Sequence, residues 1–205
     1  MPRLPQPQQP RPAGTVVVQH SSRTRVPHHW HPDIQSILIP TTTLKLRVKS
    51  LAQSLQHHYQ DKKPVLISVL NGTVVFTADL IRSLNFPLTL DFIGTSSYRN
   101  QTRPGPLHFT KKLSTNIQNR HVLLIDDILD TGQTLHAILN QLHTLKPRSL
   151  RTCVLLQKRV ARTHAIRPHY TGFNIPNAFV VGYGLDYAEQ YRNLPFIGVL
   201  RTPPP

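Results

Sequence analysis

From residue 33 onward, apolar residues fall into two alternating textures: short unbroken runs, and runs spaced at helical intervals. Ile34, Ile37, Leu38 and Ile39 lead into Thr41-Thr42-Thr43, any of whose hydroxyls is suited to cap a helix. That helix should run to about Tyr59, because Leu44, Val48, Leu51 and Leu55 recur at spacings of 4, 3 and 4, the signature of one buried face. Val65 to Leu70 reads as a buried strand, Asn71-Gly72 as a turn, and Val75, Phe76, Ala78, Leu80, Ile81 and Leu84 as a second helix. The unit recurs. Leu88 to Ile93 and Val122 to Ile125 read as strands, Leu135 to Leu145 as a helix, and Thr152 to Leu156 as a further buried strand. Short apolar strands alternating with helices predict an α/β fold, a parallel twisted sheet with helices on both faces joined by right-handed crossovers.

Two stretches lack either period. Residues 1–31 are rich in Pro, Gln, Arg and His and read as a disordered tail, although Val16-Val17-Val18 could pair locally; residues 32–205 are then the folded domain. Gly94 to Asn119 is long and polar, carrying Arg99, Arg103, Pro104, Gly105, Pro106, Lys111 and Lys112, and such a length inside a compact domain marks a functional loop or hairpin, read here as a lid.

Charge narrows the partners. Among 205 residues, 24 Lys and Arg stand against nine Asp and Glu, a formal charge of +15, which suits a phosphate-bearing partner: nucleic acid, an anionic membrane surface or a phosphorylated small molecule. Cys153 is the one cysteine, so an internal disulfide is excluded; it lies in a predicted buried strand, and a reducing, cytoplasmic setting fits. The N-terminus lacks the apolar stretch of a secretory signal and no run reaches membrane-spanning length, so a membrane partner is not expected. His28-His29-Trp30-His31 and His57-His58 lack the spaced carboxylates or cysteines of a metal site.

Against this basic background, three of the nine acids, Asp126, Asp127 and Asp130, fall within five residues, directly after a strand and before a helix. In open α/β sheets that is where ligands gather. The backbone amides of Thr131-Gly132-Gln133-Thr134 make a nest for a phosphate, helped by two hydroxyls and the positive end of the helix dipole. Carboxylates beside such a nest would repel a bare phosphate unless they served neutral hydroxyls or a metal ion, and a sugar phosphate with Mg²⁺ satisfies both. Helix capping by Asp130 is the bland alternative, and it leaves Asp126 and Asp127 unexplained.

The run from Val122 to Leu135 resembles the phosphoribosyl-pyrophosphate signature of type I phosphoribosyltransferases. Val69 to Arg82, Ser96 to Tyr98, Leu156 to Arg159, Phe179 to Tyr187 and Tyr191 to Pro195 resemble the hypoxanthine-guanine branch, the likeness running collinearly over about residues 32–200. The resemblance implies the type I phosphoribosyltransferase fold, with a small hood from the chain ends and a flexible lid. It also implies Mg²⁺-dependent transfer of phosphoribose to hypoxanthine or guanine. By the same resemblance Asp130 is the general base at purine N7, Asp126 and Asp127 hold the ribose hydroxyls and metal, and residues 131–134 cradle the 5′-phosphate. Asn71, Gly72 and Arg192 contact pyrophosphate, Asp186 takes a second Mg²⁺, and Ser97 and Tyr98 close over the centre. Lys158 reads O6 of the base, with Phe179, Val180 and Ile128 around the ring. Without the resemblance, Lys158 reads equally as a solvated surface lysine and Phe179 as a core aromatic. Asn71 stands where many members carry Lys. A homodimer or homotetramer is implied. Two other readings remain, a xanthine-preferring enzyme and a nucleic-acid-binding regulator on the same fold; since Asp130, Lys158 and Asp186 are all present and the tail has no recognition helix, nucleic acid is not the expected partner.

Overall fold

The computed structural model describes residues 16–17, 26–96, 108–160 and 166–201. Its strands are β1 (Val16–Val17), β2 (Ile34–Ile39), β3 (Val65–Leu70), β4 (Thr89–Ser96), β5 (His108–Lys111), β6 (His121–Leu129), β7 (Ser149–Lys158), β8 (Tyr170–Ile175), β9 (Val180–Val181) and β10 (Ile197–Leu200). The helices are α1 (Thr41–Tyr59), α2 (Val74–Ile81) and α3 (Gln133–Thr144). A seven-stranded sheet runs in the order β1-β8-β7-β6-β3-β4-β5, and β2, β10 and β9 form a second sheet of three. Every pairing in the large sheet is parallel except β4 with β5.

The α/β pattern is the predicted one, and alternation along the strands shows why it forms. Leu66, Leu123, Ile125, Cys153 and Leu155 face one cluster, shared with Leu44, Val48, Leu51 and Leu55 of α1 and with Phe76 and Leu80 of α2. Their neighbours Val65, Ile67, Val122, Leu124 and Val154 face the other, covered by Leu135, Ile138 and Leu142 of α3. With both faces buried, the central strands read as continuous apolar runs. The face of α1 assigned from spacing is buried as expected, with Leu44, Val48, Leu51 and Leu55 at most 2% exposed. Cys153 is fully buried, and burial lifts its thiol to about 12.

Several elements depart from the sequence expectation. The threonines do not cap α1: Pro40 holds the cap position without a side-chain bond, and Thr41 Oγ1 instead donates to Pro195 O at 2.7 Å, tying the helix to the hood. Ile34–Ile39, expected only to lead into a helix, is a strand because β10 gives it a partner. Of the loop or hairpin expected over Gly94 to Asn119, the hairpin is the form seen: β4 extends to Ser96, β5 pairs antiparallel with it, and Ile117 is buried. Asp91, nearly buried, accepts the N–H groups of Ser114 and Thr115 at 2.7 and 2.8 Å and an ion pair from Lys111, which fixes the chain after β5. Despite burial, those bonds hold its carboxyl down at about 2. Within the stretch read as a tail, Val16–Val17 pair with β8, and His28–Trp30 form a single 3-10 turn with Val26 and Trp30 packed on the hood cluster.

Candidate active site

The order of the large sheet reverses between β3 and β6, with β4 on one side and β7 and β8 on the other. A crevice outside the carboxyl ends of strands at such a reversal is the ligand position of open α/β sheets. Here the turn after β3 meets the end of β6. Gly72 lies so close that a Cβ placed on it would sit 1.7 Å from Asp127 Oδ2. The peptide joining Leu70 to Asn71 is cis. Beneath the turn, Thr73 Oγ1 donates to Val69 O at 2.6 Å, and the hydroxyl of Ser68 lies 2.5 Å from that of Thr73 and 2.7 Å from that of Thr77, all three buried. These side chains were not singled out in the sequence, where three hydroxyl residues in an apolar run carry no mark of a network.

β6 continues through Asp126 and Asp127 rather than stopping at Ile125. Asp126 is almost fully buried; its Oδ1 accepts the Asp127 N–H at 3.1 Å, and Asp127 Oδ1 accepts the Ile128 N–H at 2.7 Å. Burial first, then the charge of Asp127, raises the Asp126 carboxyl well above its usual 3.8. Asp127 is raised by burial too, opposed by the bond from Ile128 and by the positive charge of Arg192. A carboxyl raised on folding contributes stability that is complete below its unfolded value and is lost as pH rises through its folded value, so at neutral pH the pair strains the fold. Asp126→Asn, which keeps an acceptor for the Asp127 N–H, should therefore raise stability at neutral pH by about 0.5–2 kcal/mol, the gain shrinking toward acid pH. Thermal unfolding across pH checks this; equal melting of the two proteins at neutral pH would refute it.

After β6, Gly132 takes a left-handed conformation, φ 85°, at the N-cap of α3. Thr131, Gln133 and Thr134 are exposed around it, at the helix start where backbone amides lack intrahelical acceptors. Asp130 makes no cap bond. Its Oδ2 instead accepts from Lys158 Nζ at 2.7 Å, so the last residue of β7 reaches across to the β6–α3 turn. The lysine side chain is 12% exposed, which sets aside the reading of a solvated surface residue.

The hood supplies the remaining wall. Gly184, at φ 102°, packs on the β3 turn so that a Cβ there would lie 2.1 Å from Gly72 O. Arg192 Nη1 donates to Gly184 O at 2.9 Å and pairs with Asp186 Oδ1 at 2.9 Å, while Nη2 pairs with Glu189 Oε2. Tyr183, also at positive φ, donates its hydroxyl to Asp79 Oδ2 of α2 at 2.6 Å. The bond between Tyr183 and Asp79 was not anticipated, since they stand 104 residues apart and the glycines flanking Tyr183 mark a turn without naming its partner. Phe179 is 40% exposed, edge-on to Tyr187 at 5.5 Å, and not the core aromatic that residue type alone suggests. Val180 is buried in β9, and Ile128 is half-buried against the α1 cluster. Ser97 and Tyr98 lie outside the described residues.

Among the described residues no three of His, Cys, Asp and Glu converge to hold a metal ion, and Asp186 is not grouped with Asp126 and Asp127. The chemistry of the pair still fits a divalent cation, whose charge would relieve two adjoining buried carboxyls, provided substrate oxygens and water complete the shell.

Comparison with known proteins bears on this arrangement. The profile of the phosphoribosyl transferase domain matches residues 37–188. A hypoxanthine-guanine phosphoribosyltransferase of Bacillus subtilis is 43% identical over 170 residues, covering 82% of this chain and 94% of that protein. A hypoxanthine-guanine-xanthine phosphoribosyltransferase of Tritrichomonas foetus is 41% identical over 170 residues, 82% of this chain and 93% of that protein. A crystal structure of a hypoxanthine phosphoribosyltransferase from Staphylococcus aureus superimposes with a TM-score of 0.81 at 39% identity, covering 86% of this chain and 97% of that one.

Proposed function

This chain belongs to the phosphoribosyltransferase family, and on that footing we propose that it moves the phosphoribosyl group of 5-phosphoribosyl 1-pyrophosphate onto hypoxanthine or guanine, giving the nucleoside 5′-monophosphate and pyrophosphate. The observation that carries the choice of base is the pairing of Lys158 with Asp130 at 2.7 Å. Side by side, an ammonium and a carboxylate present one donor and one acceptor. The N7–H and O6 edge of a 6-oxopurine offers the complement, whereas adenine presents an amino donor to the lysine.

In the transfer, purine N9 forms a bond to C1 of the ribose while the bond from C1 to the pyrophosphate oxygen breaks, and the N7 proton passes to Asp130. Asp126 and Asp127 receive the ribose hydroxyls. The amides of residues 131–134 hold the 5′-phosphate, and the turn at Asn71 and Gly72 together with Arg192 holds the pyrophosphate. Phe179 stacks on the base, with Ile128 lining the ring and the Val180 main chain at its edge; the half-exposed ring is what supports this role. Asp126 and Asp127 would hold one Mg²⁺ and Asp186 a second, and the bound ions would supply charge neutralisation on the leaving group. Ser97 and Tyr98 belong to the lid that excludes water during transfer. Residues 32–205 form the catalytic domain, acting as a homodimer or homotetramer. Among the described residues no helix is long and apolar enough to cross a membrane, and the single buried cysteine supports a cytoplasmic location.

The test is a spectrophotometric assay with phosphoribosyl pyrophosphate, Mg²⁺ and each of hypoxanthine, guanine, xanthine and adenine. Turnover with the first two and none with adenine is expected. Failure with all four would sink the proposal, and a clear preference for xanthine would place the chain beside the Tritrichomonas relative in its range of bases.

A further inference from the structure

At the end of the large sheet opposite Asp126 and Lys158, the strands begin among positive charges. Lys62 and Lys63 precede β3, Arg120 and His121 enter β6, and Arg148 and Arg151 enter β7. The backbone draws these starts together: Arg120 Nη2 donates to Lys63 O at 3.2 Å and Arg148 N donates to Arg120 O at 2.9 Å. The last turn of α1 is seated on them, since the Tyr59 hydroxyl donates to Val122 O at 3.4 Å, and His58 on that turn lies 3.3 Å through Nε2 from Lys62 Nζ. His121 Nδ1 is 2.7 Å from Ser149 Oγ.

Register places the remaining members on one face. His121 pairs with Ser149, Leu123 with Arg151 and Cys153 with Tyr170, so His121, Arg151 and Tyr170 share the side covered by α1. The Tyr170 hydroxyl is buried beside Arg151: burial raises its pKa and the guanidinium opposes that rise. None of Lys62, Lys63, Arg120, Arg148 and Arg151 forms an ion pair among those residues; the carboxylate whose charge reaches Lys62 is that of Asp61. The excess of positive charge is felt by the histidines. His58 is pushed down to about 4, by burial first and then by Arg151 and Lys62, and His121 is lowered by burial and then by Arg148 and Lys62.

The dipole of α1 would draw His58 and Lys62 to its C-terminus by itself, but it does not explain Arg148 before β7 or Arg151 within it. We propose that this cluster is a second anion site, distinct from the catalytic one, which takes a compound bearing two or three linked phosphoryl groups on Lys62 and Arg151. Width favours such a chain over a single phosphate: at about 4.8 Å between neighbouring strands, the start of β3 is roughly 10 Å from that of β7.

The probe is inorganic tripolyphosphate, titrated into the full chain while the ring signals of His58 and His121 are followed by NMR. Phosphates also enter the catalytic end, but five residues of β6, roughly 17 Å at about 3.3 Å per residue, separate His121 from Asp126, so a phosphate held there does not touch these rings. Saturable shifts in both rings are expected, with apparent affinity at least about tenfold weaker in Arg151→Gln, one lost charge-assisted contact. Should that variant fail to fold, Lys62→Gln, altering a half-buried side chain after the helix, is expected to show the same loss. A linear drift without saturation, or equal affinity in the folded variant, overturns the proposal. So does a response to a short RNA at matched phosphate concentration with none to tripolyphosphate.

Discussion

Asp130→Asn is expected to lower kcat by about a hundredfold to ten-thousandfold, the usual contribution of a positioned base, while KM for phosphoribosyl pyrophosphate changes little. Asparagine keeps the volume and the oxygen that accepts from Lys158 Nζ at 2.7 Å, so the turn between β6 and α3 holds its shape. What it loses is the capacity to receive the N7 proton. Because Asp130 makes no cap bond to α3, the substitution does not disturb the nest formed by residues 131–134, and donor binding is spared for that reason. Steady-state kinetics with hypoxanthine, at saturating donor, decide the matter. An unchanged kcat would remove Asp130 from proton transfer, and a large rise in donor KM with intact kcat would make it a binding residue instead.

Gly184→Ala is expected to be among the most damaging single-methyl changes at the described glycines, alongside Gly182, which meets the Phe196 carbonyl in the same way. Gly184 sits at φ 102°, where an alanine is strained, and its Cβ would lie 2.1 Å from Gly72 O, a backbone atom that cannot rotate away. Strain of about 1–2 kcal/mol at positive φ adds to overpacking of about 1–3 kcal/mol. The two elements pressed apart are the β3 turn and the loop carrying Asp186, with Arg192 fastened to the carbonyl of residue 184 itself. Denaturant unfolding should show a loss of roughly 2–5 kcal/mol. Activity of whatever folds should fall through a raised KM for pyrophosphate in the reverse direction. A variant that melts like the parent would mean that the hood shifts freely on the large sheet, contrary to the contact described.

How much of this could be read from the chain differs by element, for identifiable reasons. α1 was legible because its buried face follows helical spacing without interruption, and β3, β6 and β7 because both faces of each are buried. β8 gave no such signal: Tyr170-Thr171-Gly172-Phe173-Asn174-Ile175 mixes polar residues into its run, and Arg47 of α1 donates to the carbonyls of Thr171 and Gly172 to complete it. β2 and β10 are strands through each other, across most of the chain, which no local window registers. The acidic run stood out as the candidate donor site by its contrast with a basic chain. The partnership of Lys158 with Asp130 came from likeness to a family, and the Tyr183 to Asp79 bond and the buried hydroxyls under Gly72 came from neither. Threonines at 41–43 misled because a tertiary acceptor, Pro195 O, outcompeted the helix end for the one hydroxyl in place.

The exposure of Phe179 has a consequence for how such a protein can diversify. Its ring is 40% exposed and meets Tyr187 edge-on, so replacement there costs the fold less than at a fully buried aromatic. The donor site has no such latitude, wedged by backbone against backbone at Gly72 and Gly184 and by Asp127 against both the turn and its own strand. On the proposed assignment of Phe179 to the base and of the glycine turns to the donor, drift in the accepted base is cheaper in stability than drift in the activated sugar.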